Sequence, residues 1–569
     1  MFVNHLQSFK WARGLVALLV AGSTGLVVAN AASASNSPSS YQRAHAGGTL
    51  KLLASTAGGT LDPQVNYTLQ YWQLYQATYD GLVSFKKVSG AASFEVVPDL
   101  ATSMPKVTNH GKTYTFTLRR GIKFSNGQPV TVADVQASLR RIFKVSNPNA
   151  GTWYVSIVGG AACVAKPATC TLKGGVIVNA AKNTVVINLV APDAEFLDQL
   201  AVPFGSILPA NAPAKDSGTT PIPGTGAYKF ASYDPNHQLT MVRNPYFKVW
   251  SAAAQPQGYP NQIDMIFGQT VESEVTSVEN GQGDWVFDPL PADRLQQLST
   301  QYAKQLHVNS LTAIWYLPMN TNLAPFNNYK AREAVNYAVN KFSAIKLFGG
   351  SQLAQPACTI LPPGFPGHVN YCDYQKSTGA TYKGPDLAKA KQLVKESGTA
   401  GMSVGIVVTN DPVNEAVGQY VQSVLNSIGY KATLKPLSAN IQFNYIQNSN
   451  NKVQISLSQW YQDYPAASDF LKVLLSCTGF HKGSDNSINI SGYCNKAIDA
   501  KMNKAETLSL TNPSGANKLW GQIDEQLMGT VAPWVPLFTP KLIDFTSKRV
   551  GNYRFSRQFY MYVDQLWVK

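Results

Sequence analysis

An alternation of apolar and polar residues runs from Lys112 to Leu118, where Tyr114 and Phe116 are separated by threonines. A period of two residues is the pattern of a β-strand with one buried face. The segment is therefore predicted to form a half-buried strand.

A helix is predicted shortly after this strand. Asn126-Gly127 marks a turn, and Thr131 with Asp134 three residues later makes a variant of the capping box that begins helices. Apolar residues then recur at helical spacing, at Val132, Val135, Leu139 and Ile142. A second helical stripe of apolar residues extends from Ala331 to Phe342.

The clearest unit lies near residue 420. A short apolar run at 404–408 is followed by an amphipathic stretch at 413–428, which Gly429 ends as a C-terminal cap. Strand character returns at 432–437 and 453–460. Strand, helix and strand at this spacing require a parallel crossover. The chain is therefore predicted to be an α/β protein.

The N-terminus has the organisation of a secretory signal peptide. Lys10 and Arg13 precede an uncharged apolar run, and small residues at 29–31 and 32–34 offer cleavage sites. We predict a cleaved signal peptide at 1–34 and a polar, flexible leader at 35–46. The alternative is an uncleaved membrane anchor, for which the run is short. No cysteine lies near these sites, so lipid attachment at a lipobox cysteine is not expected.

Six cysteines occur as three close pairs, and an exported chain meets an oxidising medium in which disulfides form. Sequential pairing is expected, because any other partner lies in a distant region of the chain. The predicted disulfides are Cys163–Cys170, Cys358–Cys372 and Cys477–Cys494. No pair has the CxxC spacing of a metal site and no His lies beside one. Neither a metal site nor a cofactor is predicted.

The formal net charge is +15 although only 14% of the residues are charged. Carboxylates are scarce, and no basic cluster of the kind that binds nucleic acid is present. Two explanations stay open: adhesion to an anionic surface, or an acidic medium in which few carboxylates limit changes of charge.

A search for catalytic motifs gives one poor candidate. The seven His residues are scattered, and no phosphate-binding loop is present. Ser403 stands in a GxSxG sequence, but a predicted helix precedes it and a predicted strand follows it. A nucleophile elbow has the reverse order. The chain is therefore predicted not to be an enzyme.

A series of segments forms one recognisable set in chain order. They are Leu61-Asp62-Pro63, 79–83, 98–101, 113–124, 126–127, 131–141, 223–228, 243–246, 320–321, 325–326, 332–340, 460–470, 492–493 and 532–538. Together they resemble the family 5 solute-binding proteins of bacterial ABC importers. Three places depart from the family's usual residues: Ser125-Asn126-Gly127 stands for His-Asp-Gly, Ala466-Ala467 for Asp-Pro, and Asn340 for an acidic residue.

The resemblance implies a two-lobed, periplasmic-binding-protein-like fold of type II, in the large class with an inserted subdomain. The expected domains are lobe I (47–88, 222–311 and 536–569), its inserted subdomain (89–221) and lobe II (312–535). The chain would cross between the lobes near 311–313 and 535–537, and these crossings would act as hinges.

The implied function is that of a monomeric extracytoplasmic receptor. It would capture short peptides between its lobes and deliver them to a membrane permease. Asp463 is expected to pair with the ligand's α-ammonium, and Trp460 and Tyr464 are expected to cover the ligand. A second wall is expected from an aromatic stretch, Tyr67, Tyr71, Trp72 and Tyr75. The alternatives are a solvated carboxylate for Asp463 and core packing for the aromatic residues.

Other functions remain open at this point. Relatives of the fold carry non-peptide solutes such as oligosaccharides and metal chelates, and the same receptor type can serve a sensor or adhesion. A secreted hydrolase rests on Ser403 alone.

Overall fold

A computed structural model describes residues 40–145, 150–377, 379–485 and 487–569. The predicted signal peptide lies outside these residues. Part of the predicted leader, Ser40–His45, is helical, and the His45 ring lies 4.6 Å from that of Trp567. The segment is therefore in contact with the C-terminal part of the chain.

The described residues contain helices and strands in nearly continuous alternation. The strands are β1 (Thr49–Leu53), β2 (Val83–Phe85), β3 (Val96–Pro98), β4 (Lys106–Thr108), β5 (Thr113–Thr117), β6 (Val176–Asn179), β7 (Thr184–Asn188), β8 (Tyr228–Asp234), β9 (Gln238–Arg243), β10 (Gln262–Ile266), β11 (Trp285–Val286), β12 (Leu306–Ser310), β13 (Ala313–Pro318), β14 (Ala354–Pro356), β15 (Ser403–Thr409), β16 (Lys431–Leu437), β17 (Ile455–Ser456), β18 (Ser458–Tyr461), β19 (Trp534–Thr546), β20 (Val550–Gly551), β21 (Phe555–Ser556), β22 (Tyr560–Met561) and β23 (Trp567–Val568).

The helices are α1 (Ser40–His45), α2 (Leu69–Thr78), α3 (Val132–Arg141), α4 (Ala150–Trp153), α5 (Gly160–Ala165), α6 (Phe196–Ala201), α7 (Val271–Glu279), α8 (Leu295–Gln301), α9 (Tyr329–Ala338), α10 (Lys341–Phe348), α11 (Leu387–Glu396), α12 (Pro412–Ser427), α13 (Ala439–Gln447), α14 (Ser468–Leu475), α15 (Lys496–Ser509) and α16 (Pro513–Thr530). In the part of the chain that the structure describes, none of them combines the length and the apolar character needed to span a bilayer.

A mixed sheet of ten strands runs through the molecule, and β19 connects its two parts. Residues 534–540 of β19 pair with β13 and β14, whereas residues 541–546 pair with β12 and β11. Beyond β11 the sheet continues through β1, β10, β9 and β8, with β1 parallel to both β10 and β11. The far edge, on the other side of β13, is β18.

The predicted crossover near residue 420 is present. Strands β15 and β16 pair in parallel and α12 connects them, so the predicted α/β class is confirmed. Gly429 follows this helix with a φ of +113°, a conformation that favours glycine. The strand predicted at 453–460 is divided between two sheets: β17 pairs in parallel with β15, and β18 pairs antiparallel with β13.

The strand predicted at 112–118 and the helix predicted after Thr131 are confirmed, whereas the helical stripe predicted at 331–342 is not continuous. Strand β5 buries Tyr114 and Phe116, and α3 begins at a capping box in which the Asp134 carboxylate accepts from the Thr131 amide at 2.7 Å. The stripe predicted from residue 331 to 342 is broken. Helix α9 ends at Ala338, and Asn340 caps a new helix, α10. Phe342 is consequently 49% exposed and does not continue the buried stripe.

The hydrophobic core is divided among several clusters. One cluster draws on residues 50–285 and 559–566, and a small one joins residues near 275–298 to Ile543 and Phe545. Two others draw on residues 311–538, one of them also using Phe555 and Tyr560. The three disulfides join the predicted partners, Cys163–Cys170, Cys358–Cys372 and Cys477–Cys494.

Candidate functional site

A cavity of about 750 Å³ lies between two regions of the chain that are far apart in sequence. One side comes from Tyr67 and from residues of the 153–199 region, and the other from residues 409–488. Its lining residues are Tyr67, Trp153, Val155, Ser156, Asp193, Gln199, Thr409, Gln442, Phe443, Gln459, Trp460, Tyr461, Asp463, Tyr464, Asp469, Val473 and Ile488. The volume is within the range of small-molecule sites, roughly 300–1,000 Å³.

Asp463 reaches the cavity from the segment that follows β18. The pairing of Trp460 with Ile314 in β13 fixes the strand, and the Gln462 amide donates to the Thr312 carbonyl at 3.0 Å. The amide nitrogen of the Gln558 side chain then donates to the Asp463 carbonyl at 2.9 Å. The backbone of Asp463 is therefore held from two sides, while its carboxylate lines the cavity.

The Asp463 carboxylate accepts a hydrogen bond from the Tyr67 hydroxyl, which comes from the opposite side of the cavity. Burial raises the pKa of Asp463 to about 6, and the Tyr67 hydrogen bond opposes this shift. The site thus holds a carboxylate that is partly removed from water and has a single side-chain donor among the described residues. Such a group is suited to bind a cationic donor.

Asp469, at the start of α14, is a second carboxylate of this wall. It is 1% exposed, and its Oδ2 accepts from the Asp463 amide at 2.9 Å, whereas its Oδ1 has no hydrogen-bond partner. Burial raises its pKa well above the usual range, and the charge of Asp463 adds to the shift. The nearby Trp460 indole N–H partly opposes this shift, although its geometry falls short of a hydrogen bond.

Aromatic rings meet across the cavity. The Trp153 ring contacts that of Tyr464 at 5.9 Å and that of Tyr67 at 6.0 Å, in edge-to-face geometry. Beside these rings, the Ser468 hydroxyl donates to the Glu195 carboxylate. Burial raises the pKa of Glu195 to about 8, and the charge of Glu506 adds to this shift. Hydroxyl, carboxylate and ring contacts therefore bridge the two sides.

Of the residues that the sequence proposed for the site, Tyr67, Asp463, Trp460 and Tyr464 lie together at the cavity, whereas Tyr75 is buried and does not line it. Tyr71 and Trp72 are buried and are not among its lining residues. The Tyr71 hydroxyl donates to that of Tyr233 at 2.6 Å. The Trp72 indole donates to the Asn66 carbonyl at 2.9 Å and its ring packs 5.4 Å from that of Tyr67, so it supports a lining residue from behind.

Several lining residues were missed by sequence reasoning. Asp469 carried a usable signal, because it lies six positions after Asp463 in a chain with few carboxylates. Trp153, Asp193 and Gln199 carried none, since their segment enters the cavity only through the tertiary fold.

A serine-nucleophile site and a metal site each require a particular arrangement of residues. Ser403 is an exposed residue that opens β15 after α11, the reverse of the order in a nucleophile elbow. Within the described residues, no group of three or more His, Cys, Asp or Glu is arranged to hold a metal ion.

The chain is similar in sequence to known binding proteins. The model of the bacterial extracellular solute-binding proteins, family 5, matches residues 95–482, more than half of the chain. The glutathione-binding protein GsiB of Salmonella choleraesuis is 28% identical over 509 residues, covering 87% of this chain and 89% of that protein. Its counterpart in Escherichia coli K12 is 26% identical over 513 residues, with the same coverage.

Solved structures give the same fold. The clavulanic acid biosynthesis oligopeptide binding protein 2 superimposes with a TM-score of 0.82 at 21% identity, covering 92% of this chain and 96% of its own. The periplasmic binding protein DppA of Helicobacter pylori, solved in complex with the peptide STSA, gives a TM-score of 0.69 at 22% identity, with coverages of 93% and 100%. The expected two-lobed fold of type II is thereby confirmed. The chain belongs to family 5 of the bacterial extracellular solute-binding proteins, the receptors of ABC importers.

Proposed function

We propose that this protein captures short peptides in the cavity between its lobes and delivers them to an ABC permease. The observation that carries the proposal is the Asp463 carboxylate, which lines the cavity and has the Tyr67 hydroxyl as its side-chain partner. A peptide α-ammonium is a stronger donor for a carboxylate than a neutral hydroxyl, because charge-assisted hydrogen bonds are shorter and stronger. The ligand would displace or share the Tyr67 contact.

The apolar part of the cavity supports a peptide ligand. Tyr67, Val155, Phe443 and Tyr461 line it and are each between 38% and 43% exposed. Large exposed apolar side chains that gather in one place mark binding surfaces. With Trp460 and Tyr464 they would cover the side chains of a peptide whose amino end is held at Asp463. Glutathione, after which related proteins are named, is itself a short peptide and is one of the ligands to test.

We place lobe I at 47–88, 222–311 and 536–569, its inserted subdomain at 89–221, and lobe II at 312–535. With these boundaries, the contacts Tyr67–Asp463 and Glu195–Ser468 join lobe II to the rest of the molecule. A ligand that contacts both sides favours the closed form, since only that form offers both sets of contacts. The closed form is what a permease would recognise.

The receptor acts outside the cytoplasm in this proposal. A signal peptide at 1–34 would direct export and be cleaved, and the mature protein would be a monomer without a lipobox anchor. The excess of basic residues that remains after Lys10 and Arg13 leave with the signal peptide would help to hold it near an anionic surface.

Mass spectrometry of ligands that remain bound through purification tests the peptide assignment. Wild-type protein is expected to carry short peptides, and Asp463→Asn to lose them, because binding weakens by about 2 kcal/mol, or ~30-fold. Asp293→Asn is the matched control, since it removes the same charge at an exposed position outside the cavity lining. Retention of the same ligand by all three proteins would contradict the role of Asp463, and a non-peptide ligand would replace the peptide assignment.

A further inference from the structure

The cavity wall is acidic in composition, whereas the chain as a whole is basic. Asp193, Asp463 and Asp469 line it, and no Lys, Arg or His is among its described lining residues. The chain as a whole has 47 basic and 32 acidic residues. Close to the wall, the Lys472 ammonium is already engaged in an ion pair with Glu506. Three carboxylates therefore face the cavity without a basic side chain in the lining to balance them.

Two buried acceptors of this wall have no partner. The Oδ1 atom of Asp469 and the Oε1 atom of Gln199 make no hydrogen bond, although the side chains are only 1% and 9% exposed. Both residues line the cavity. A buried acceptor without a donor is destabilising, so such atoms in a binding cavity indicate where ligand donors belong.

The described lining also lacks a cation for a ligand carboxylate, and its unpartnered N–H donor, the Trp460 indole, is neutral. A free carboxylate that enters a cavity needs a cation or several N–H donors to offset its desolvation. The described lining offers no cation, and the Asp463 carboxylate, which is ionised above about pH 6, repels it. A ligand with two carboxylates, such as glutathione, is therefore a poor match for this wall.

We propose, on the basis of the proposed function, that the cavity selects peptides with a second positive charge at their amino end. The α-ammonium binds Asp463, and the side-chain cation of a first-position Lys or Arg binds Asp469, with Gln199 as a further acceptor. The peptide's carboxyl end lies outside the acidic wall.

Calorimetric titration with matched tripeptide amides tests this selectivity. Lys-Ala-Ala-amide and norleucine-Ala-Ala-amide have the same linear side-chain carbon skeleton and differ in one ammonium group. Wild-type protein is expected to bind the lysine peptide about tenfold or more tightly than the norleucine peptide, the usual gain from a charge-assisted hydrogen bond in a partly dry site. A smaller preference would overturn the proposal.

The Asp469→Asn variant tests whether Asp469 is the residue that causes the preference for the lysine peptide. It is expected to bind the two peptides with similar affinity, and its melting temperature reports whether it is folded. If the variant does not fold, the wild-type ratio alone decides the proposal. A folded variant that keeps the full preference would overturn the role of Asp469.

Spermidine and reduced glutathione separate this inference from the peptide function itself. Peptides that bind without a charge preference would leave the peptide function standing and refute the cation selectivity. Binding of spermidine without any peptide, lost in Asp469→Asn, would refute the peptide function and support the cation site. Glutathione that binds more tightly than the lysine peptide would overturn the selectivity, and failure of all four ligands to bind would overturn both.

Discussion

The Asp463 carboxylate is subject to two opposing effects. Burial disfavours its charged form, whereas the hydrogen bond from Tyr67 stabilises that form. Burial is the larger effect, so the pKa of Asp463 rises to about 6. A bound ammonium would favour the charged form further and lower this pKa.

Ligand affinity should consequently depend on pH near this value. Below pH 6 the free protein holds a proton on Asp463 that a cationic ligand must displace, so the dissociation constant should rise by up to about tenfold per pH unit as the pH falls. Above about pH 7, Asp463 is ionised and contributes no further change. Titration of a peptide amide between pH 4.5 and 8 measures this slope.

The control for this dependence is Asp463→Asn. Asp193 and Glu195 also have raised pKa values and stay in the variant. Loss of the Asp463 charge also lowers the pKa of Asp469, so the difference between the two profiles belongs to this pair of carboxyls. Identical profiles for the two proteins would show that Asp463 does not hold the ligand's cation.

At the residue scale, sequence reasoning found one side of the cavity and, on the other side, Tyr67. Trp460, Asp463 and Tyr464 belong to one short segment, so a single motif identifies all three. The partner of Asp463, Tyr67, is 396 positions away, and no local pattern records that pairing. Tyr71 and Trp72 belong to the same aromatic stretch as Tyr67, so the sequence does not distinguish the three. In the structure, Tyr71 and Trp72 lie in α2 and are buried in the hydrophobic core.

At the scale of elements, the predictions held where the signal was local. The capping box of α3 and the alternation of β5 depend on neighbouring residues only. The break between α9 and α10 was not predicted, because the apolar stripe in the sequence continues through it. In the structure, α9 ends because Val339 and Asn340 have extended backbone conformations. The division of β17 from β18 depends on two different neighbouring strands, which a strand's own sequence does not identify.

A buried ion pair ties α3 to the segment before α2. Arg141 donates to both carboxylate oxygens of Asp62, and the two side chains are 5% and 0% exposed. Asp62→Asn leaves the buried guanidinium without its counter-ion and should lower the free energy of unfolding by about 3–5 kcal/mol. Urea denaturation followed by circular dichroism measures the loss.

Glu95→Gln is the matched control for this change. It breaks the Lys86–Glu95 pair, whose side chains are 33% and 55% exposed, and should cost less than about 1 kcal/mol. Equal losses in the two variants would show that the Asp62–Arg141 pair has no special role in joining α3 to the body.

At the scale of the whole molecule, one strand relates the two parts of the sheet. Strand β19 pairs with β13 and β14 in its first half and with β12 and β11 in its second half. The strand order of such a sheet follows from contacts between distant segments, so periodicity alone predicted the α/β class and not this topology. The two-lobed fold was predicted instead from the series of segments that resemble a known family in their order along the chain.

The charge of the whole molecule also differs from that of its cavity. A formal charge of +15 is explained either by adhesion to an anionic surface or by an acidic medium. The cavity lining has three carboxylates and no basic residue among its described members. The overall composition therefore does not predict the acidic composition of the cavity lining.

The most direct test of peptide capture at Asp463 is calorimetric titration of purified protein with one tripeptide amide, either with a free amino group or N-acetylated. Acetylation removes the cation and leaves the rest of the ligand unchanged. The affinity of wild-type protein should fall by about 30-fold or more on acetylation, which is ~2 kcal/mol. Asp463→Asn should bind the two forms with similar affinity. Equal binding of both forms by wild-type protein would contradict recognition of the peptide ammonium by Asp463.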